Sequence, residues 1–362
     1  IKSDYAEVYN NMGNALRLNN ESEAALESYK QALKIKPDYA EIYYNIGVIL
    51  QDKEKIETAI INYKQALNIK PNYAEAYNNM GNALRLNNEL KAAIESYKQA
   101  IIINPDYAEA YNNMGNILQY RNEPETAIEN YKHALKIKPD YAEAYNNMGN
   151  AFLNMSEPET AIENYKQALK IKPDYAEAYN NMGNALINKG ESAAAIKNYK
   201  QALIIKPDYT DAYNNMGNAF INKGEPEEAI KSFNQALRIQ PNCTQAYINL
   251  TRLYKFNSHE EQLRKIESFF ENPNLTNEEY CQLCFSLAKA YEGLNELEQS
   301  FKYLLEGNRV RKKSLGYDIE QDKSVFRDIK KFWPYIAENA LEFIEKPSYP
   351  TPVFILGMPR SG

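Results

Sequence analysis

The stretch AEAYNNMGNALRLNNELKAAIESYKQAIIINPDY, residues 74–107, decides the fold of this chain of 362 residues. Near-copies of it recur every 34 residues, so that the glycine at Gly81 returns at Gly115 and the proline at Pro71 returns at Pro105. Seven regular copies occupy 6–39, 40–73, 74–107, 108–141, 142–175, 176–209 and 210–243. A fixed period of this length indicates one supersecondary unit stacked on itself, because a single unit cannot bury its apolar face alone.

The order of residues inside one copy predicts two helices joined by a turn. Apolar residues fall at helical spacing in two stretches. Small residues such as Gly81 and Ala93 stand where two helices must approach closely. Pro105 ends the second helix, because proline lacks the amide hydrogen and clashes with the preceding turn. At the start of the first helix, D-x-x-E pairs predict capping boxes, at Asp38 with Glu41, Asp106 with Glu109 and Asp140 with Glu143.

The 34-residue Tyr…Gly…Ala…Tyr…Ala…Pro pattern resembles the tetratricopeptide repeat. The resemblance implies an all-α fold, a right-handed superhelical solenoid of antiparallel helix pairs. Residues 1–243 then hold seven regular repeats, and 244–314 hold two degenerate ones, 244–277 and about 281–314. The last keeps Leu287, Ala288, Tyr291 and Ser300 at repeat positions.

One column of asparagines is not explained by packing. Asparagine is a mediocre helix former, yet it holds the same position of the first helix in eight repeats. The column resembles the asparagine ladder of O-linked N-acetylglucosamine transferases, which implies a groove that binds the backbone of a protein or peptide partner. Two alternatives stay open, hydrogen bonds between adjacent repeats and a bias in composition. The asparagine column consists of Asn11, Asn45, Asn79, Asn113, Asn147, Asn181, Asn215 and Asn249.

The C-terminal segment differs in character from the repeats. Residues 315–349 predict a helical connector with a proline-containing linker, and Val353–Leu356 predicts a short buried strand. The loop 357–362 follows it, and a strand that leads into a glycine-bounded turn is typical of a phosphate-binding loop. The loop has the G-x-x-x-x-G spacing of a P-loop, without the lysine that would decide for a nucleotide hydrolase.

The segment PVFILGMPRSG, with the helical region before it, resembles the opening of the catalytic domain in tetratricopeptide-repeat sulfotransferases. The resemblance implies that 350–362 begin a truncated α/β sulfotransferase domain. It also implies that Arg360, Ser361 and Gly362 bind the cofactor PAPS (3′-phosphoadenosine 5′-phosphosulfate). The remaining catalytic groups would lie beyond Gly362, so no catalytic residue is expected within the chain. A threonine after Gly362 would support this reading, and a lysine would favour a P-loop hydrolase.

Composition restricts the other classes of function. A net charge of −6 gives no basic surface for nucleic acid, and no apolar run is long enough to span a membrane. Three cysteines are too few for a disulfide framework, which favours a reducing compartment such as the cytoplasm. Cys281-x-x-Cys284 has no second ligand pair, so we expect two buried thiols and no metal site.

The sequence therefore favours a protein-interaction scaffold that forms the substrate-presenting arm of a PAPS-dependent sulfotransferase. The alternatives are a non-catalytic adaptor that works through its groove, a repeat-linked glycosyltransferase and a P-loop nucleotide hydrolase. They differ in whether the asparagine column acts alone or beside a catalytic domain.

Overall fold

The computed structural model describes residues 2–253, 261–270 and 275–316, with 323–324, 327 and 330–331. These residues form helices and the turns between them, which confirms the all-α prediction. The chain divides into two compact bodies, an N-terminal body of 1–254 and a C-terminal body of 255–362. The predicted strand and phosphate loop at 350–362 lie outside the described residues, as does most of the connector.

In the N-terminal body, each repeat supplies a first and a second helix. The odd-numbered helices are the first helices: α1 Lys2–Leu18, α3 Ala40–Asp52, α5 Ala74–Leu86, α7 Ala108–Tyr120, α9 Ala142–Asn154, α11 Ala176–Asn188, α13 Thr210–Lys223 and α15 Thr244–Leu253. The even-numbered helices are the second helices: α2 Ser22–Ile35, α4 Ile56–Ile69, α6 Leu90–Ile103, α8 Pro124–Ile137, α10 Pro158–Ile171, α12 Ser192–Ile205 and α14 Pro226–Ile239. Each second helix contacts the first helix of its own repeat and that of the next, so the pairs stack in sequence order.

The close approach within each pair depends on a glycine and an aromatic ring. A Cβ atom at Gly81 would lie 2.6 Å from Cε1 of Tyr97, well inside van der Waals contact. Tyr97 is fully buried, as are Ala93 and Ala100 on the same helix. The glycine thus lets the two helices close around the ring, as the repeat pattern predicted. The same contact recurs in repeats 1 to 7, with Phe233 in place of tyrosine in repeat 7.

The predicted capping boxes at Asp38, Asp106 and Asp140 are wrong. The helices begin one residue later than those boxes require, with Tyr39, Tyr107 and Tyr141 at the N-cap and no side-chain cap hydrogen bond. The aspartates therefore stand outside the helix, too early in the chain to reach the first free amides. Backbone contacts replace them in part, since the carbonyl of each N-cap tyrosine accepts an amide three residues on, at 3.1 Å.

In the C-terminal body, α16 spans Glu261–Phe269, α17 spans Asn277–Gly293 and α18 spans Leu297–Ser314. Thr276 caps α17 in a true capping box with Glu279. Helices α17 and α18 form a close antiparallel pair, because Gly307 lets α18 approach Cys284 and Phe285. The predicted repeat residues Leu287, Ala288, Tyr291 and Ser300 are all buried in this pair.

Candidate peptide-binding surface

Most first helices carry one stripe of exposed or half-buried side chains. In α5 the stripe runs through Glu75, Asn79, Asn82 and Leu86, at spacings of four, three and four residues. The two end residues are exposed and the asparagines are half-buried. First helices of consecutive repeats contact each other from α1 to α15, so their stripes join into one surface. We call this the inner surface.

The asparagine column lies at the centre of the inner surface and links neighbouring repeats. The side-chain amide of Asn147 donates to Oδ1 of Asn112 in the preceding repeat, at 3.1 Å. The same bond recurs, from Asn113 to Asn78 at 3.1 Å, from Asn181 to Asn146 at 3.1 Å and from Asn215 to Asn180 at 3.0 Å. These bonds make the bridging role a feature of the structure. The predicted role in peptide binding stays a prediction.

A second set of hydrogen bonds extends the bridges into a ladder. Nδ2 of Asn146 donates to Oδ1 of its neighbour Asn147 at 3.4 Å, and the pair Asn180 and Asn181 repeats this contact. The acceptors of the bridges are buried asparagines, about one-twentieth exposed. A buried amide without partners would be costly, so the ladder satisfies groups that packing has removed from water.

The ladder changes at its two ends. Asn45, which is buried, donates to Asn14 at 3.0 Å, and Asn79 donates to the hydroxyl of Tyr44, which replaces the buried asparagine of repeat 2. At the other end, Nδ2 of Asn249 and Oδ1 of Asn214 are buried without a hydrogen-bond partner among the described residues. Asn11, in the first repeat, is exposed. The regular bridges therefore connect repeats 3 to 7.

A further column of asparagines, which sequence reasoning did not single out, binds the core tyrosines. The hydroxyl of Tyr97 donates to Oδ1 of Asn82 at 2.7 Å, and that of Tyr165 donates to Asn150 at 2.7 Å. Where Val48 replaces this asparagine, the hydroxyl of Tyr63 bonds to Gln51 instead, at 3.1 Å. The signal was present in the sequence, because tyrosine and asparagine are fifteen residues apart wherever both occur.

Two edges flank the asparagine column. One edge is a row of carboxylates, which is exposed from Glu7 through Glu143 and half-buried at Glu177. Nearby, Lys172 and Lys206 lie over the rings of Tyr175 and Tyr209, 4.7 Å from each ring centre. Burial raises the pKa of Tyr175 to about 12, so its hydroxyl stays protonated.

The other edge is formed by the last turn of each first helix. Its solvent-side position holds a large apolar residue in three repeats, Leu18, Leu86 and Tyr120, and an exposed asparagine in three others, Asn154, Asn188 and Asn222. Repeat 2 has Asp52 there. Sequence reasoning also missed this difference, because attention to what the repeats share hides the positions at which they diverge.

Comparison with known proteins agrees with the packing. The profile described as TPR repeat matches 13–54, 49–85, 81–120, 115–156, 157–190 and 183–224, and the profile described as tetratricopeptide repeat matches 210–243. The chain belongs to the tetratricopeptide repeat family. The matched residues contain the glycine and tyrosine columns and most of the inner surface, so this tetratricopeptide-repeat chain has the fold of a protein-interaction scaffold.

Similar structures share this fold. A tetratricopeptide repeat protein from Parabacteroides merdae is 17% identical, with a TM-score of 0.57, covering 69% of this chain and 98% of that one. The APC/C hetero-tetramer Cut9–Hcn1 is 19% identical, with a TM-score of 0.56, covering 64% of this chain and 48% of that one. An uncharacterized protein of Aquifex aeolicus is 26% identical over 110 residues, or 30% of this chain. That match spans only 14% of the Aquifex protein.

Other predicted features of this tetratricopeptide-repeat protein are placed as follows. Cys281 and Cys284 are buried thiols on α17, and burial raises the pKa of Cys284 to about 12. The described residues contain no group of histidine, cysteine and carboxylate side chains suited to a metal ion. No helix of the described part has the length and apolar character needed to cross a bilayer. Arg360, Ser361 and Gly362 lie outside the described residues, so the PAPS site stays a prediction.

Proposed function

We propose that the inner surface holds an extended polypeptide by its backbone, through the asparagine column. The observation that carries the proposal is that the asparagines of the column have hydrogen-bond donors and acceptors that the ladder does not use. Asn147 uses one N–H on Asn112 and accepts one hydrogen bond from Asn146. A side-chain amide has two N–H groups and two lone pairs, so one donor and one acceptor remain. The same holds for Asn181.

The remaining groups suit a peptide unit, which also offers one N–H and one carbonyl. An amide that donates to the carbonyl and accepts from the N–H binds the chain without reading its side chains. The ladder fixes the orientation of each asparagine before a partner arrives, which reduces the side-chain entropy lost on binding. Half-burial keeps the remaining polar groups within reach of a partner at the surface.

The distance between repeats determines how many residues of the bound polypeptide lie opposite one asparagine of the column. Packed helices lie about 9 Å apart and an extended chain rises about 3.3 Å per residue, so one repeat spans about three residues. Repeats 3 to 7 would then hold about fifteen residues. A partner of this kind is a disordered or unfolded segment, because folded elements have no free backbone groups to offer.

The test compares two sets of substitutions. One removes the column with Asn79→Ala, Asn113→Ala, Asn147→Ala and Asn181→Ala. The matched control, Asn112→Ala, Asn146→Ala and Asn180→Ala, removes buried asparagines and so breaks the ladder while the column stays. Fluorescence anisotropy would measure binding of a labelled, reduced and carboxymethylated protein that cannot fold. We expect the column variant to lose about tenfold or more in affinity and the control to lose much less.

Equal losses in the two variants would contradict backbone recognition and leave the ladder as a purely structural device. So would unchanged binding in the column variant. Circular dichroism of both variants would show whether helicity is intact. A second probe separates backbone from side-chain recognition, since a bound peptide whose backbone amides are N-methylated keeps its side chains but cannot donate. We expect N-methylation to weaken binding to the wild-type chain.

A second candidate function is favoured by the segment PVFILGMPRSG and the helical region before it. We propose that the solenoid presents an acceptor to a PAPS-dependent sulfotransferase domain. The full-length gene product should bind 3′-phosphoadenosine 5′-phosphate in isothermal titration, and Arg360→Ala should weaken that binding, because it removes the cation beside the phosphate. Absence of nucleotide binding would leave the non-catalytic adaptor as the better account.

A further inference from the structure

The last turn of the first helix has two opposite patterns in this chain. In repeats 5 to 7 the core-side position holds Leu153, Ile187 and Ile221, which pack against the core, and the next residue is an exposed asparagine. This is the ordinary pattern of a surface helix. In repeats 1, 3 and 4 the pattern is inverted. The core-side position is polar, and the solvent-side residues Leu18, Leu86 and Tyr120 are 76%, 53% and 76% exposed.

Contacts within the fold explain the polar core-side residues of the inverted pattern, but not the apolar residues on its solvent side. Gln119 accepts a hydrogen bond from the hydroxyl of Tyr131 at 3.0 Å, and Arg17 and Arg85 interact with the hydroxyls of Tyr29 and Tyr97. None of these bonds requires an apolar neighbour on the solvent side. Exposure of leucine or tyrosine to water does not stabilise the fold. Repeats 5 to 7 show that the same solvent-side position accommodates asparagine.

From this row we infer that the apolar strip, defined as Leu18, Leu86 and Tyr120, selects partner segments that carry apolar side chains beside acidic ones. The inference rests on the proposed function, since a segment must lie along the inner surface to meet the strip. The column would hold the backbone of that segment over repeats 3 to 7. The strip would read its side chains over repeats 1 to 4.

The arginines next to the apolar strip indicate the chemistry of the partner. Neither Arg17 nor Arg85 forms an ion pair with a carboxylate in the described part of the chain. Arg85 is exposed and Arg17 is half-buried. By contrast, Lys53 is paired with Glu23, and Arg121 with Glu123 at 2.9 Å. Two guanidinium groups with unused donors next to Leu18 and Leu86 fit a partner carboxylate beside each apolar side chain.

Spacing makes the inference specific. Leu86 and Tyr120 are one repeat apart, and Leu18 lies two repeats before Leu86. At about three residues per repeat, a partner would place apolar side chains about three, six and nine residues apart. Asp52, in repeat 2, would interrupt the row, so no apolar side chain is expected between the first two contacts.

The experiment selects random phage-displayed peptides of about fifteen residues, long enough to cross five repeats at three residues each. Selection on the wild-type chain should enrich apolar residues at the stated spacing, with aspartate or glutamate beside them. A synthetic peptide of the enriched sequence should bind Leu18→Asn, Leu86→Asn, Tyr120→Asn about tenfold more weakly than the wild type. The matched control, Asn154→Ala, Asn188→Ala, Asn222→Ala, should keep wild-type affinity.

A second variant tests the charge. Arg85→Glu should shift the selected residue beside the apolar position from acidic to basic, because a carboxylate then faces it. Enrichment of unrelated sequences, or equal binding to the strip variant, would overturn the inference. So would wild-type self-association that the strip variant abolishes, since a second copy would then occupy the strip. Sedimentation velocity measures that outcome.

The two proposals fail separately. If backbone recognition is absent, the column variant binds the selected peptide as well as the wild type does, whereas the strip variant still loses affinity. If the strip has no role, the column variant loses affinity and the strip variant does not. All three strip residues are more than half exposed, so their replacement should leave the urea midpoint near that of the wild type.

Discussion

Repeats 1 to 4 and repeats 5 to 7 share a core and differ at the end of the first helix. In the first group Gln51 and Gln119 turn inward to the hydroxyls of Tyr63 and Tyr131, at 3.1 and 3.0 Å. In the second group Leu153 and Ile187 pack against the core at the same position. The glycine contact with the ring is the same in both, between 2.4 and 2.6 Å for an added Cβ.

The difference shows which parts of the repeat are fixed by packing. The ring, the glycine and the buried alanines leave no room for change, because interiors are packed to high density. The last turn tolerates either a polar or an apolar core-side residue, since Asn116 keeps the hydroxyl of Tyr131 bonded in any case, at 2.8 Å. Surface chemistry can therefore diverge from repeat to repeat while the stacking stays constant.

The largest loss of stability should follow from replacing the core glycine, and it should be equal in repeats 1 to 4 and repeats 5 to 7. We expect Gly81→Ala and Gly183→Ala each to lower the free energy of unfolding by about 3 kcal/mol, because the methyl group overlaps a buried ring that cannot move aside. Urea unfolding followed by circular dichroism measures this. A loss in only one group would contradict a common core.

A smaller loss of stability should distinguish repeats 5 to 7 from repeats 1 to 4, when the core-side residue of the last turn is exchanged between them. Leu153→Gln should cost about 1 kcal/mol, since it takes a partly buried apolar side chain from the core. Gln119→Leu should change stability by less than about 0.5 kcal/mol, because the hydroxyl of Tyr131 keeps its bond to Asn116. The same urea titration compares the two. A large loss for Gln119→Leu would show that the polar contact is required in repeat 4.

The smallest effect concerns the turn between the helices of a pair. Repeats 6 and 7 place Gly190 and Gly224 at positive φ there, whereas repeat 2 places Glu54 at φ 59°. A side chain is strained in this region. Gly224→Ala should lower the free energy of unfolding by about 1 kcal/mol, and Glu54→Gly should raise it by about 0.5 kcal/mol. Thermal unfolding checks both, and stabilisation by Gly224→Ala would contradict the argument.

Much of the fold could be predicted from the period alone. The helix pairs, the close contact at Gly81 and the helix end before Pro105 follow from residue size and from the chemistry of proline. The start of the first helix could not be predicted. The D-x-x-E spacing at Asp38 and Glu41 matches a capping box, but the turn after the proline places Tyr39 at the N-cap. Tyr39 packs there against a core cluster that joins repeats 1 and 2, a contact that the spacing alone does not show.

The candidate site was predictable in part. The position of the asparagine column could be predicted, because asparagine is a mediocre helix former and its recurrence in a helix indicates a function. The hydrogen-bond partner of each column asparagine could not be predicted. The bond from Asn147 to Asn112 joins residues 35 apart in sequence and depends on how two repeats stack. The inversion at Leu86 could have been found by comparing repeats position by position. Such a comparison looks for differences, whereas recognising a repeat looks for identity.

The ladder of hydrogen bonds also bears on how such a chain changes in length. Its bridges from Asn113, Asn147, Asn181 and Asn215 are interchangeable, because each joins the same pair of positions at 3.0 to 3.1 Å. Loss of 108–141 by recombination would bring Asn147 opposite Asn78, the partner that Asn113 has now. No new interface would have to evolve. Gain or loss of a whole repeat would therefore change the reach of the inner surface by one repeat and leave the remaining bridges of the same kind.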